Sequence, residues 1–342
     1  MNLFYNRVLN QFPLRNIKFA FAYGSGVFEQ LNNKTNDQQM IDFVFVVDDS
    51  VRFHTENLHQ NSSHYSFLKW LGPKLISHIQ NDLGAACYFN TLVPLKIDDQ
   101  MHLIKYGVIS EKALIRDLFD WDYLYMAGRL QKPVKLIKSK EEHKLKESSK
   151  FAVDKKTFDL ALQTNLKNAL HTALLLMPEQ FTLEELFVCI TSLSYSGDFR
   201  MVIGENKQKC SNIVKPQMDR FIELYKPYLI KENFENNLIC DFERQKVVQN
   251  LDQPTIYHHL NLLPKKLIQT IINLKFKTTH YYDIEEFISK LTSRSDYKEL
   301  VAQSVSSIVR YSSTIQSIKS GFTAGFMKSI FYSMRKLKKM AK

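Results

Sequence analysis

Two stretches near the N-terminus carry residues able to handle phosphate. "FAYGSGVFEQ" places Gly24, Ser25 and Gly26 behind an apolar run, and "MIDFVFVVDD" places Asp42 at the head of a second. A glycine-serine turn after a strand exposes backbone N–H groups that form a concave anion site. A carboxylate on an adjacent strand can hold Mg²⁺ against the same phosphates. Nucleotidyl transfer needs that pairing: the turn grips a triphosphate while a metal offsets charge developing at the α-phosphorus. Taken alone, a glycine turn and a distant acid are more often structural.

Two polar loops add basic groups. "AGRLQKPVKLI" holds Arg129, Lys132 and Lys135, and "LSYSGDFRMVIGENKQKCSNIV" holds Asp198, Arg200, Lys209 and Asn212. Loops of this type concentrate function. The bland alternatives are a helix C-terminus with exposed bases and a surface turn with a local Asp–Arg pair.

Strands and helices must position these groups. "IKFAFAYGSG" reads as a strand entering a turn. "MIDFVFVVDD" reads as a strand with Phe43, Phe45 and Val47 on one face and Asp42, Val44 and Val46 on the other. "SHYSFLKWLGPKLISHIQNDLG" has helical spacing through Leu68, Leu71, Leu75 and Ile79. "AACYFNTLVPL" and "HLIKYGVIS" read as two further strands, "EKALIRDLFDWDYLYMAGRL" as helix and "KPVKLIKS" as a short closing strand. The alternation makes this part α/β or α+β. The charged stretch 139–156 marks a boundary, after which the pattern is mainly helical.

Composition narrows the function classes. The chain of 342 residues accommodates about two domains. No run of about 18 uncharged apolar residues occurs, so no membrane-spanning helix is expected. Cys87, Cys189, Cys210 and Cys240 form no CxxC pair, which argues against a zinc site or a disulfide framework and fits a reducing compartment. The net charge of +11 is uneven: eight bases and no acid follow Glu299, leaving +3 for residues 1–299. A nucleic-acid enzyme would carry its bases on the folded domains. The opening "MNLFYNRVLNQFPLR" suits either a mitochondrial targeting segment or a plain helix. His54, His59, His64, His78 and the His258–His259 pair read as surface or packing residues.

The tail repeats Ile315, Ile318, Phe322, Phe326, Ile330, Met334 and Leu337 at three- and four-residue steps, with bases off that stripe. This reads as an interfacial helix on an anionic bilayer, against the alternative of a docked C-terminal helix with a solvated basic face.

"FAYGSGVFEQ", "IDFVFVVDD", "HYSFLKWLGPK", "IKYGVIS", "WDYLYMAGRLQKPVK", "LSYSGDFRM", "KCSNIVKP" and "SIKSGFTAGFMKSIFYSMRKLKKM" together resemble the mitochondrial CDP-diacylglycerol synthase family, the peripheral phosphatidate cytidylyltransferases also described as translocator assembly and maintenance proteins. The resemblance runs from about Phe19 to the C-terminus. It implies an α+β protein: a nucleotidyltransferase-like mixed-sheet domain (1–150), a mainly helical winged-helix-like domain (151–300) and a basic amphipathic membrane-binding tail (301–342). It implies CTP and phosphatidic acid as substrates, Mg²⁺ as cofactor, and a peripheral place on the matrix side of the mitochondrial inner membrane, feeding cardiolipin synthesis; with the surplus charge in the tail, no nucleic-acid partner is expected. Gly24 and Ser25 match the nucleotide-gripping turn, with Tyr23 and Gly26 beside them. Asp42 matches the metal-binding acid. Lys105, Arg129 and Lys132 match motif positions, and Asp198 and Arg200 match the "GDxR" element of the second domain.

One position departs from the wider superfamily's Asp-x-Asp: Val44 stands where a second acid is usual. Asp198 is the first candidate to replace it as a catalytic and metal-binding acid, followed by Asp117 and Asp48. Lys105, Arg129, Lys132, Arg200 and Lys209 are the basic candidates for the phosphates. Phe322, Phe326, Ile330, Arg335, Lys336, Lys338 and Lys339 are the candidates for the membrane. The alternatives are a non-catalytic membrane-associated protein supporting the import translocator, and a nucleotidyltransferase acting on RNA or another polar acceptor.

Overall fold

The computed structural model describes residues 2–28, 40–138, 155–203, 208–235, 238–276 and 283–324. In chain order the first elements are α1 (Asn2–Leu9), β1 (Ile17–Tyr23), β2 (Ile41–Val47), α2 (Ser50–Asn61), α3 (Gly72–Asp82), β3 (Cys87–Ile97), β4 (Gln100–Ser110), α4 (Glu111–Asp120), α5 (Ala127–Leu130) and β5 (Lys135–Lys138). There follow α6 (Lys155–Leu176), β6 (Gln180–Thr182), α7 (Leu183–Leu193), α8 (Arg200–Ile203), α9 (Lys209–Val214), α10 (Met218–Glu235), β7 (Ile239–Asp241) and β8 (Lys246–Val248). The chain continues through α11 (Gln253–Asn261), α12 (Lys265–Phe276), α13 (Ile284–Thr292) and α14 (Tyr297–Ala324). None of the described helices is long and apolar enough to cross a membrane.

The chain forms two compact units, and both are discontinuous in sequence. The first takes residues 1–115, 134–158 and 312–342, and the second takes 116–133 and 159–311. The sequence suggested cuts near 150 and 300. Two local packings redistribute those segments. Trp121 donates from Nε1 to Asn165 Oδ1 at 2.9 Å, tying 116–133 to α6. Gln316 donates to the Cys87 carbonyl at 3.1 Å, tying the end of α14 to β3.

The first unit is built on a mixed sheet of order β3-β4-β2-β1-β5, in which β2 and β4 run parallel and the other pairs antiparallel. Alternation puts Phe43, Phe45 and Val47 on one face, with Ala20, Ala22, Tyr106 and Val108 beside them. Helix α1 covers this face with Tyr5, Val8 and Leu9, so the opening segment is part of the core. A buried polar network fixes the flank: His54 contacts Tyr65 Oη at 2.9 Å and Gln80 Oε1 at 2.8 Å, while Asn57 donates to Tyr65 and Tyr106.

The helix expected across 63–84 is broken. Residues 67–71 form a 3-10 turn, and α3 starts only at Gly72–Pro73. Gly72 sits at φ +83°, and the residue before a proline resists helical backbone. The expected apolar stripe therefore splits: Leu68 is buried, whereas Leu71 and Leu75 face solvent.

The second unit is mainly helical. Leu166, Ala169, Leu170, Phe187, Ile190, Phe221 and Tyr225 are buried, and the Phe187 and Phe221 rings stack at 5.3 Å. A three-stranded antiparallel sheet of order β6-β8-β7 accompanies the helices. Thr182 opens α7 with a reciprocal cap to Glu185. Asp117 is wholly buried and accepts four backbone N–H groups, from Tyr123, Leu124, Met126 and Ala127, thereby shaping the turn into α5.

Candidate nucleotide site

In the first unit, one row of residues crosses three strands. Tyr23 pairs opposite Asp42, and Asp42 lies beside Lys105 in the parallel pairing. Directly paired residues project to the same face, so the acid, the base and the tyrosine share the face opposite the α1 core. The Gly24–Gly26 turn begins where that row ends. Gly24 sits at φ +82°, a conformation favouring glycine, and a Cβ there would stand 3.4 Å from Asp42 Oδ2. The Asp42 carboxylate thus reaches the mouth of the turn. Gly26 presses on the start of β2: a Cβ would meet the Met40 carbonyl at 2.7 Å. The Gly24 carbonyl accepts from Val27 and Phe28 at 3.0 Å each, closing the turn.

This arrangement fits Mg²⁺ chemically. A hard carboxylate oxygen adjoins a turn that can take phosphate, and Mg²⁺ is commonly held by one or two carboxylates with substrate phosphates and water. Val44 is fully buried on the same strand, so β2 offers one carboxylate on that face.

Lys105 is held from its own sheet. Its Nζ lies 4.6 Å from the Phe89 ring centroid, a cation–π contact. Phe89 pairs with Gly107. A glycine is needed there because a Cβ would come within 2.6 Å of Phe89 Cε1.

The second unit gathers a basic cluster. Arg129 lies 4.0 Å from the Tyr125 ring and donates to the Tyr125 carbonyl at 2.6 Å. Lys132 donates to the Gly128 carbonyl and to Ser194 Oγ, the latter at 2.8 Å. Lys132 and Lys209 approach the Tyr195 ring at 5.3 and 4.6 Å. Burial, with Arg129 and Lys209 adding repulsion, pulls the Lys132 ammonium down to about 7. Burial opposes the Arg200 charge, but its bonds to Asp198 carry its pKa above the usual arginine value. Four bases gathered around two tyrosines can receive a polyanion.

Asp198, the second metal-binding acid expected from the sequence, is paired with Arg200 in this structure. It is buried, and its carboxylate takes the Arg200 guanidinium in a fork, with Nε–Oδ1 2.9 Å and Nη2–Oδ2 2.5 Å. Burial disfavours its charge, but the Arg200 bonds outweigh this and hold its pKa below the ordinary carboxylate value. It anchors Arg200; this is the local Asp–Arg pair among the sequence alternatives. Asp117 is consumed by backbone donors, and Asp48 faces Lys18 at 3.6 Å. Of the membrane candidates, Phe322 is exposed on α14, and Phe326, Ile330, Arg335, Lys336, Lys338 and Lys339 lie outside the described residues.

Sequence reasoning passed over Phe89, Gly107, Tyr125, Ser194 and Tyr195. Tyr125 lies in the bend just before α5, so the turn that Asp117 shapes, rather than helical spacing, sets it against Arg129. No spacing signals Phe89 with Lys105, since the sheet register alone joins them.

A glycine turn, a strand-borne acid and a neighbouring base on a mixed sheet are an arrangement that nucleotidyl transfer can use. The family profile described as "Phosphatidate cytidylyltransferase, mitochondrial" matches residues 5–339. Relatives carrying that name are 44% identical in Xenopus laevis (98% of this chain, 94% of the relative), 43% in Danio rerio (99% and 94%) and 38% in Caenorhabditis elegans (99% and 98%). The chain belongs to the mitochondrial phosphatidate cytidylyltransferase family. A solved nucleotidyltransferase-like protein from Exiguobacterium sibiricum aligns over 98% of this chain and 80% of its own at 10% identity, with a TM-score of 0.24.

Proposed function

We propose that this mitochondrial protein transfers the cytidylyl group of CTP to phosphatidate, releasing pyrophosphate and forming CDP-diacylglycerol. The carrying observation is the Asp42 carboxylate at the Gly24 turn with Lys105 in register beside it. In the reaction a phosphatidate oxygen bonds to the α-phosphorus of CTP, and the bond from that phosphorus to the bridging oxygen of the β-phosphate breaks. The attacking phosphate is largely ionised near neutral pH, so no side chain needs to remove a proton. The difficulty is bringing two polyanions together, and the residues address it by positioning and charge. The Gly24–Gly26 turn orients the nucleotide phosphates through its backbone. Lys105, kept in place by Phe89, neutralises developing negative charge. In the second unit, Arg129, Lys132, Arg200 and Lys209 bind phosphate, with Asp198 orienting Arg200. Asp42 would hold Mg²⁺, which supplies further charge neutralisation at the phosphates.

The protein works from the matrix face of the inner membrane as a peripheral enzyme, because phosphatidate stays in the bilayer. Exposed Phe67, Trp70, Leu71 and Leu75 supply one apolar surface in the first unit, and Ile318 and Phe322 of α14 supply another. Ser66 Oγ donates to the Phe322 carbonyl at 3.2 Å, which brings the two segments side by side. No acid occurs in 57–81 or after Glu299, so both segments suit an anionic bilayer.

The test is incubation with labelled CTP, Mg²⁺ and either phosphatidate vesicles or RNA. Label in a chloroform-soluble product is expected. Label in RNA, or in neither, would overturn the proposal.

A further inference from the structure

Three imidazoles converge inside the second unit. His171 lies on α6, and His258 and His259 are consecutive on α11. Their ring centroids stand 5.5 Å (171–258), 5.1 Å (171–259) and 5.2 Å (258–259) apart, a nearly equilateral set. One nitrogen from each lies within 4.8 Å of the other two, and the closest pair, His171 Nδ1 and His259 Nδ1, is 3.0 Å apart. Successive helix residues point about 100° apart and do not normally address one point. Bringing both His258 and His259 to His171 is therefore a specific arrangement. His171 and His259 are buried at 3% and 4% exposure, whereas His258 is half-buried and forms the open side.

We propose that His171, His258 and His259 bind a divalent transition-metal ion of the zinc class. Tetrahedral zinc holds imidazole nitrogens at about 2.0–2.1 Å, which spaces them roughly 3.3 Å from one another. The observed separations, 3.0 Å for one pair and no more than 4.8 Å for any, are within a small side-chain adjustment of that. An all-nitrogen donor set selects zinc, copper or nickel over Mg²⁺, so this site is chemically distinct from the one at Asp42. Entry is from the His258 side, where the fourth position takes water. The bound ion clamps α11 onto α6, joining residues 88 apart in sequence. Cysteine spacing bears only on a thiolate site; these histidines carry no sequence signal of their own, because the folded packing of α6 against α11 alone brings them together.

The test uses the full chain, purified without chelator, stripped with EDTA and titrated with zinc chloride, then with cobalt chloride as a spectroscopic probe. One zinc per chain is expected, with visible cobalt absorption and a melting midpoint raised by about 5 °C at saturation. His258→Ala, at the half-exposed position, should leave the metal-free melting curve in place while weakening zinc binding at least tenfold. His171→Gln provides a second variant with the same expected loss. Absence of stoichiometric zinc binding by the parent chain overturns the proposal. So does binding that persists undiminished in both variants.

Discussion

Gly107 and Phe89 face each other across the β3–β4 pairing so closely that a methyl group on Gly107 would lie 2.6 Å from Phe89 Cε1. The bare backbone lets the ring lie flat, and the ring carries the Lys105 ammonium. Gly107→Ala should cost about 1–3 kcal/mol, the usual range for overpacking. Phe89→Leu stays apolar but removes a cation–π contact of about 1 kcal/mol, so kcat/KM should fall about fivefold. Urea unfolding and CDP-diacylglycerol assays read the two effects separately; unchanged kcat/KM in Phe89→Leu would release Lys105 from its assigned role.

Asp42→Asn keeps the shape of the turn and removes the carboxylate. Turnover should drop about 100-fold or more, the scale for losing a preorganised electrostatic group. The Mg²⁺ concentration giving half-maximal rate should rise as well. A variant working at the parental rate would remove Asp42 from the chemistry.

Lys132 sets a pH dependence. Its folded pKa of about 7 lies below the ordinary lysine value of 10.5. Between those values the unfolded chain binds the extra proton, so stability rises with pH from about 7 to about 10.5. Phosphate binding works the other way. A bound anion favours the charged ammonium, so phosphate binding at this cluster should take up a proton and weaken as pH climbs above about 7. Titration calorimetry in buffers of different ionisation enthalpy measures that proton, and Lys132→Met should abolish the uptake.

Asp198→Asn strips Arg200 of its charged partner. Arg200 is 37% exposed, so solvent screening reduces the cost of the broken pair to about 1–2 kcal/mol. Phosphate affinity of the second unit's basic cluster should fall because Arg200 loses its orientation. A double-mutant cycle with Arg200→Met isolates the pairing, and additive losses would deny the coupling.

The last helix calls for two different cuts. Lys319 is buried and donates to the carbonyls of Ile79, Gln80 and Leu83 at the end of α3. Burial lowers its pKa to about 8. Removing residues from Ile315 onward would therefore damage the first unit. Truncation after Ala324 should instead spare CTP binding while reducing sedimentation with anionic vesicles. Trp70→Ser with Phe322→Ser should reduce it further; sedimentation equal to the parent in both would deny the bilayer contact.

Strands β1 and β2 are legible in the sequence because a short apolar run rich in phenylalanine and valine, bounded by turn residues, is a local signal. So is the Gly24 turn with Asp42. The break at Gly72–Pro73 is written in the chain too, yet the leucine spacing across it masks the breaker. Strands β6, β7 and β8 span three residues each, too few to show a period. Lys319 reads as a membrane-facing base because its Ile79 carbonyl partner lies 240 residues earlier. Asp198 reads as a metal ligand because composition cannot tell a carboxylate held by a neighbouring arginine from one that is not.

Gln316, Lys319 and Thr323 dock on Cys87, the end of α3 and Phe89, so the final described turns of the chain complete the unit begun at its start. During vectorial synthesis the Asp42-bearing sheet must wait, with one edge uncovered, for a partner 229 residues further on. Such long closure slows the last step of assembly. It also makes nascent chains stalled before α14 lasting targets for chaperones and proteases. A premature stop just ahead of that helix would disable the first-made part of the protein as surely as the last.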